Sequence, residues 1–323
     1  MPAVIEEIRS EKLLKDLANV WKELSQTATD YAVVRACSMT LLVATTSDDE
    51  QDLAGTLGDL MHSHPSRYVV LRLIDNPEPE FAARVFAHCQ LAFGRRQQLC
   101  CEQIEFTATR DRIPDFYAVA LGLTVADLPV LLWIRDAQLL LSQDFHTLLP
   151  LARPLIIDSA QFVDAAAGLT ELASRRRAGW RIKDLAWSRL TVWRETVAQM
   201  FETSSCRDLV NRIDRVEVKG RFGAVGTDVQ YLGAWLSQRL PGAQITATGS
   251  GVQRIRLVAG GRRLEVNDAG EALVATGLDG MATRVPDPVR SDASLLAEEL
   301  SILGPDPTYD ATLLAVVRSL NKT

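Results

Sequence analysis

Two tryptophans and two arginines occur close together between Asp184 and Arg194, in a chain that is only 6% aromatic. The chemistry that these residue types share is recognition, because an arginine can stack over a tryptophan ring and both types are favoured at protein interfaces. Helical spacing places them on and beside one apolar stripe, and Asp184 stands where a helix N-cap belongs. The stripe consists of Ala186, Leu190, Trp193, Val197 and Phe201.

Trp187 and Arg194 lie on one flank of this stripe, and Arg189 lies on the other, four residues before Trp193. Ser188 falls on the opposite side of the helix. For this Trp/Arg segment, residues 184–194, the spacing alone favours a core helix whose arginines pair with local carboxylates. The alternative is an interface helix, in which Trp187, Arg189 and Arg194 contact a partner protein.

A second cationic feature precedes this segment at Arg175, Arg176 and Arg177, with Arg181 and Lys183 after it. Cations in the last turn of a helix offset its dipole, so a solvated helix end would explain the run. The alternative is a patch that binds an anion or an acidic partner, since these charges are concentrated here although the net charge is −6. The sequence leaves both interpretations open.

Cys100 and Cys101 are the candidates for redox chemistry. Adjacent side chains of a strand point to opposite faces, so one thiol should be buried and the other should face a helix layer or solvent. A disulfide between adjacent residues would be strained. Two small apolar residues within a sheet are therefore the favoured interpretation, and a regulatory thiol is the alternative.

Other chemistry finds little support in the sequence. His62 and His64 lie at a predicted helix end, but a metal site needs more ligands than this pair. No histidine stands in a recognisable relation to a cysteine or serine that would make it a nucleophile. Gly220, Gly223 and Gly226 precede a predicted helix, yet their spacing differs from the dinucleotide fingerprint and favours a turn. We therefore predict no catalytic residue, no metal and no cofactor.

The order of predicted elements indicates a layered, Rossmann-like α/β domain over residues 30–203, after an N-terminal helix within 1–29. Strands are predicted at 35–45, 67–74, 82–93, 97–109, 129–134 and 154–158, and helices at 48–64, 112–123, 142–149 and 162–178. The strands at 82–93 and 97–109 surround Gly94, Arg95 and Arg96, and we expect them to pair as a hairpin. Arg135 and Asp158 would then lie at strand ends, on the edge where such sheets usually place ligands. Acids rather than glycines follow the first strand, so the usual pyrophosphate position would repel an anion.

The pattern changes in the C-terminal part, and we predict a smaller α+β domain over residues 204–323. A strand at 212–219 and a helix at 228–240 lead into short strands separated by glycine-rich turns, which are typical of an antiparallel meander. These strands are predicted at 244–248, 254–259, 262–267, 273–276 and 281–285, and two closing helices at 292–303 and 308–320.

The composition excludes several classes of protein. The 323 residues are 47% hydrophobic and 24% charged, as in globular proteins. A net charge of −6 and a pI near 5.4 disfavour binding to nucleic acid or to an anionic membrane. No apolar run approaches the length of a membrane span, and five cysteines without a framework of spacings are typical of a reducing compartment. We expect a soluble, cytoplasmic protein.

Several motifs together resemble the glucose-6-phosphate dehydrogenase assembly protein family, known as OpcA. The Trp/Arg segment reads Asp-Leu-Ala-Trp-x-Arg-Leu-x-x-Trp-Arg, and further motifs agree in the expected order over roughly residues 30 to 240. Those motifs begin at Arg35, His64, Cys100, Leu128 and Leu155.

The family is described as non-catalytic, and its members promote assembly or activation of the dehydrogenase that opens the oxidative pentose phosphate pathway. The resemblance therefore implies a partner protein and allosteric effector of glucose-6-phosphate dehydrogenase, with Trp187, Arg189, Arg194 and the Arg175–Arg177 run as candidates for contact. The alternative is an enzyme or sensor that binds a sugar phosphate or nucleotide at the strand ends, with Asp158, Ser159 and the neighbouring arginines as candidate contacts.

Overall fold

The computed structural model describes residues 8–27, 32–91, 97–202, 204–220, 225–249, 251–302 and 304–321. The chain divides into two compact units. The first comprises Met1–Asp158, Trp180–Lys183 and Asp292–Ser301. The second comprises Ser159–Gly179, Asp184–Ser291 and Ile302–Thr323. The predicted boundary near residue 203 falls inside the second unit, and the Trp/Arg segment belongs to that unit from its first residue.

The first unit is built on an eight-stranded sheet. Its strands are β1 Ala32–Arg35, β2 Met39–Thr45, β3 Ser66–Leu73, β4 Phe81–Leu91, β5 Gln97–Ala108, β6 Val130–Ile134, β7 Pro154–Ile157 and β8 Arg181–Asp184. Its α-helices are α1 Ser10–Thr27, α2 Glu50–Met61, α3 Ile113–Leu123 and, near the end of the chain, α9 Asp292–Ser301. The strand order is β1-β5-β3-β2-β6-β7-β8, and β4 pairs with β5.

The predicted Rossmann-like class is confirmed by this sheet. The pairs β1–β5, β5–β3, β3–β2, β2–β6 and β6–β7 are all parallel, whereas β4 and β5 form the predicted antiparallel hairpin. Every residue of β2 and β3 is buried, as expected of central strands covered on both faces. The hairpin turn predicted at residues 94–96 lies outside the described residues.

Two predicted elements of this unit differ from the structure. The strand predicted at 35–45 is two strands, because β1 pairs with β5 while β2 pairs with β3 and β6, and the chain must shift between them. The helix predicted at 142–149 is instead a 3-10 helix over Asp144–Leu151 with Pro150 inside it. Proline lacks the N–H that an α-helix requires, which accounts for the difference.

The second unit combines helices with a six-stranded sheet. Its α-helices are α4 Ala165–Arg177, α5 Leu185–Arg189, α6 Thr191–Met200, α7 Ser204–Arg207, α8 Thr227–Arg239 and α10 Pro307–Leu320. Its strands are β9 Arg215–Lys219, β10 Gln244–Thr248, β11 Arg254–Ala259, β12 Arg262–Asp268, β13 Ala272–Thr276 and β14 Ala282–Pro286. The strand order is β10-β9-β11-β12-β13-β14.

The predicted antiparallel meander is confirmed for β11 to β14 but not for the whole sheet. β9 and β10 are parallel, because α8 connects them as a crossover that carries the chain back to the same end. α8 packs on β9 and β10, and α6 packs on β12 and β13. Val216, Ile255, Leu264 and Ala275 are buried on this inner face. We call the opposite face, which carries Arg215, the outer face.

No helix within the described ranges is both long enough and apolar enough to cross a membrane.

Candidate functional site

The Trp/Arg segment forms two short helices rather than the single helix that was predicted. α5 ends and α6 begins around Leu190, whose φ of −87° and ψ of 3° depart from helical values. The Leu190 N–H donates to the Trp187 carbonyl at 3.1 Å, an i to i+3 bond that tightens the last turn of α5. Just before the break, the Ser188 carbonyl accepts a hydrogen bond from the Arg290 guanidinium.

Asp184 is the structural centre of this region. Its carboxylate, in a residue only 1% exposed, accepts hydrogen bonds from the backbone N–H groups of Ser159 and Ala186 at 3.0 Å each and from the Tyr231 hydroxyl at 2.6 Å. The predicted N-cap is therefore present, and hydrogen bonds from three donors satisfy the buried Asp184 carboxylate. Burial and the neighbouring Asp184 raise the pKa of Tyr231 well above its usual range, so the phenol remains a donor.

Trp187 lies in the core, not on an exposed flank. It is 3% exposed, and its Nε1 donates to Asp306 Oδ2 at 2.9 Å. Its ring centroid lies 5.6 Å from that of Tyr231 and 5.8 Å from that of Tyr309. Trp187, a candidate for partner contact on the flank of the apolar stripe, is thus enclosed instead, and this side chain joins α5 to α8 and α10.

The two arginines of the segment keep partial exposure. The Arg194 guanidinium carbon lies 3.5 Å from the Trp187 ring centroid, and its Nη2 donates to Thr191 Oγ1 at 2.9 Å. Arg189 is also half-buried, whereas Trp193 is buried as predicted. Ser188, which was expected opposite the apolar stripe, is buried as well, because the segment is enclosed on more than one side. Among the tryptophans and arginines of this segment, Arg189 and Arg194 are therefore the side chains that keep surface open to a partner.

The basic run separates into three different environments. Arg175 pairs with Glu171 at 2.6 Å, one turn earlier on α4. Arg176 forms a two-pronged ion pair with Asp310 on α10, which raises the pKa of the guanidinium. Arg177 is exposed. Arg176 thus holds two helices together, and Arg177 is the cation of this run that is most open to solvent.

Cys100 and Cys101 are both fully buried, so neither thiol faces solvent. Cys100 is bonded to Cys89 of β4, which lies directly opposite it in the antiparallel ladder. Sequence reasoning missed this pair, because it did not assign the register that sets positions 89 and 100 across from each other. Burial raises the pKa of the Cys101 thiol to about 11. Whether these cysteines have a redox role stays a prediction.

The first sheet has its topological switch point at β2, whose neighbours β3 and β6 are reached in opposite directions. In Rossmann domains, the helix that follows the first of these strands presents its N-terminal N–H groups to a pyrophosphate. Here Asp49 Oδ1 accepts hydrogen bonds from the N–H groups of Gln51 and Asp52 at 3.0 Å each. A protein carboxylate thus occupies the position that an anionic ligand would take.

The cations at this sheet edge pair with acidic groups of the same unit. Arg135, at the end of β6, pairs with Asp52. Arg72 pairs with Glu105 and donates to the Ser47 carbonyl at 2.7 Å. Because these arginines are paired with carboxylates of the same unit, the arrangement does not favour binding of a phosphate at this edge.

The residues expected to contact a small ligand are enclosed. Asp158 and Ser159 are both buried, and the Ser159 N–H donates to Asp184.

Among the glycines that precede α8, Gly220 is explained by packing, since a β-carbon there would lie 2.5 Å from a Val229 methyl carbon. Gly223 lies outside the described residues.

The predicted helix end at His64 has no metal-site character. His64 Nδ1 lies 3.0 Å from Ser63 Oγ, and burial lowers the pKa of this imidazole. Within the described part of the chain, no three histidine, cysteine or acidic side chains are arranged to hold a metal ion.

Comparisons with known proteins give consistent results. A family model described as the glucose-6-phosphate dehydrogenase subunit N-terminal domain matches residues 58–174, and one described as the C-terminal domain of that subunit matches residues 180–313. A protein of Synechocystis named "Putative OxPP cycle protein OpcA" is 27% identical over 230 residues, which are 69% of this chain and 48% of the relative. A protein of the same name from Nostoc punctiforme is 28% identical over 178 residues, 55% of this chain and 38% of the relative.

The chain spans about half the length of the curated relatives it matches. Among solved structures, a mutant 3-ketoreductase from Actinomadura kijaniata, in complex with TDP-benzene and NADP, superposes with a TM-score of 0.50 and 11% identity. The superposition covers 88% of this chain and 96% of that one, and it bears on the fold alone. The two family models together match more than three quarters of the chain, and the protein belongs to the OpcA family of glucose-6-phosphate dehydrogenase assembly proteins.

Proposed function

We propose that this protein is a non-catalytic partner that binds glucose-6-phosphate dehydrogenase and promotes its assembly or activation. The observation that carries the proposal is the match of both family models, whose descriptions name that dehydrogenase, over most of the chain. Curated relatives named for the OxPP cycle support the same assignment. The Trp/Arg segment, which carries the resemblance in sequence, also lies within the second matched region.

The first sheet supports a non-enzymatic role in a fold that oxidoreductases also use. Dinucleotide binding at such a sheet needs free N–H groups at a helix start and a close approach of backbone to pyrophosphate. In this chain Asp49 accepts two of those N–H groups, and the Arg135–Asp52 pair adds another carboxylate beside them. A negatively charged ligand would have to displace the first carboxylate and approach the second.

An assembly protein of this kind acts through differential affinity. It shifts the dehydrogenase toward the active assembly only by as much as it binds that assembly more tightly than the inactive form. A tenfold preference corresponds to about 1.4 kcal/mol. Partly exposed arginines such as Arg189 and Arg194 are suited to supply such a preference, since interface arginines can contribute about 2 kcal/mol or more.

The test is to mix the purified chain with the dehydrogenase of the same organism and to measure its kcat/KM and its molar mass by light scattering. We expect a complex, together with higher kcat/KM or a larger dehydrogenase assembly. Absence of both at micromolar concentrations would contradict the proposal. A thermal-shift series with NADP, glucose 6-phosphate and 6-phosphogluconate completes the test, because clear stabilisation by one of these alone would favour the small-ligand alternative.

A further inference from the structure

The outer face of the second sheet carries an excess of positive charge. Alternate residues of its strands point away from α6 and α8, and the strands are in register, so cations of one strand lie beside those of the next. The described strands bring six cationic side chains and only two carboxylates, Glu217 and Glu265, to this face. The cations are Arg215, Lys219, Arg254, Arg256, Arg263 and Arg284.

Both carboxylates of the face are engaged by the same arginine. Arg256 Nη1 lies 3.0 Å from Glu217 Oε2, and its Nε lies 2.5 Å from Glu265 Oε1. The register explains this arrangement, because Arg256 on β11 stands between Glu217 on β9 and Glu265 on β12. Arg215 also lies 3.9 Å from Asp214, just before β9. Six cations therefore stand against three carboxylates, which leaves the face with a net positive charge in a chain whose total net charge is −6.

Residues that pair across neighbouring strands form rows on this face. One row contains buried polar atoms that have no hydrogen-bond partner within the described part of the chain. Arg254 Nε and Thr248 Oγ1 are both buried and make no hydrogen bond. They belong to the two strands that flank β9, since Lys219 on β9 pairs with Arg254 on one side and with Thr248 on the other. Buried polar atoms are normally hydrogen-bonded, so this row is polar but incompletely satisfied by the strands themselves.

We propose that the outer face is the docking surface for an acidic surface of the dehydrogenase, an inference that rests on the proposed function. Carboxylates of the partner would pair with the exposed arginines of this face. A second copy of this chain is a poorer occupant, because two-fold pairing of the face would set cations against cations. Nucleic acid is disfavoured too, because the net charge of −6 opposes binding to a polyanion, and RNA is therefore one arm of the test.

The test combines Arg215→Glu, Arg263→Glu and Arg284→Glu in one outer-face variant. All three side chains are exposed, so the substitutions leave the core unchanged. The matched control combines Arg110→Glu, Arg153→Glu and Arg318→Glu, which are exposed cations outside the outer face and give the same change in charge. Circular dichroism and melting temperature establish that both variants are folded. The Kd for the purified dehydrogenase is then measured at low and at high ionic strength.

We expect the outer-face variant to bind the dehydrogenase at least about tenfold more weakly than the wild type at low ionic strength, and to lose most of the salt dependence. The control variant should change the Kd by less than about twofold. Wild-type binding that the outer-face variant retains, or that the control loses equally, would overturn the docking surface while leaving the proposed function intact. No binding by the wild type would remove the proposed function and the inference together.

A parallel measurement replaces the dehydrogenase with a mixed-sequence RNA. We expect no RNA binding by the wild type that is comparable in strength to its binding of the dehydrogenase. Tight RNA binding that only the outer-face variant loses, with unchanged affinity for the dehydrogenase, would assign the face to nucleic acid and overturn the inference.

Discussion

Trp187 Nε1 donates a hydrogen bond to Asp306 Oδ2 at 2.9 Å, while Asp306 Oδ1 accepts the N–H groups of Thr308 and Tyr309. One carboxylate therefore holds a buried indole and also caps the N-terminus of α10. Trp187, which the sequence offers as a candidate for partner contact, is thus a core residue that connects helices of the second unit. This relationship determines which substitutions should affect folding and which should affect the partner.

Trp187→Ala should destabilise the protein strongly. It removes a buried ring that contacts Tyr231 and Tyr309, and truncation of a core tryptophan costs on the order of 3–5 kcal/mol. Trp187→Phe keeps most of the ring but removes the donor to Asp306, so we expect a loss of about 1–2 kcal/mol. Urea unfolding followed by circular dichroism measures both, with Arg177→Ala as an exposed control. A near-native free energy of unfolding for Trp187→Ala would contradict the core assignment.

Arg189→Ala and Arg194→Ala should behave differently from Trp187→Ala. Both side chains are half-buried, and the stacking of Arg194 on Trp187 is expected to stabilise the fold by only about 1 kcal/mol. We therefore expect melting temperatures close to the wild-type value and weaker stimulation of the dehydrogenase. Stimulation is measured as kcat/KM against concentration of the folded variant, with Arg194→Lys as the conservative control. Full stimulation per folded molecule would return these arginines to a purely structural role.

Tyr231 should make the stability fall at alkaline pH. Burial and Asp184 raise the pKa of this phenol in the folded state, whereas in the unfolded chain it ionises near the usual value of about 10. The unfolded state then binds fewer protons than the folded state above that pH, so the free energy of unfolding decreases as the pH rises further. Tyr68, whose pKa burial also raises, contributes in the same direction.

The measurement is the free energy of unfolding in urea at several pH values above and below 10. Tyr231→Phe should lower stability at neutral pH by about 1–3 kcal/mol, because buried Asp184 loses a donor. The same variant should show a shallower decrease in stability above pH 10 than the wild type. An identical slope in both proteins would mean that Tyr231 ionises as readily in the folded state as in the unfolded chain.

Local patterns predicted the elements well where the decisive contacts are close in sequence. The parallel sheet, the β4–β5 hairpin and the N-cap at Asp184 all follow from hydrophobic period and capping residues. The burial of Trp187 could not be predicted in this way, because it depends on Tyr231 and Asp306, which are distant in sequence. Helical periodicity identifies one buried stripe, whereas this segment is enclosed on more than one side.

The outer face was missed for a related reason. Each of its strands shows an ordinary alternation of apolar and charged residues, and only the register sets Arg254 beside Lys219 and Arg284 near the end of the same row. The pairing of Cys89 with Cys100 likewise depends on register. Register specifies which residues stand opposite each other in paired strands, and strand ranges predicted from the sequence do not specify it.

Cys101 should be chemically inert in the folded protein. Its thiol is buried and its pKa is raised to about 11, so only about one molecule in a thousand carries the thiolate at pH 8. Cys37, a free cysteine that is partly exposed, serves as the internal reference. Iodoacetamide labelling followed by peptide mass spectrometry should therefore modify Cys37 first and Cys101 only after unfolding in urea. Equal labelling rates of Cys37 and Cys101 in the native protein would show that Cys101 is reactive. If oxidant abolished stimulation of the dehydrogenase by the wild type but not by Cys101→Ser, Cys101 would be a regulatory thiol.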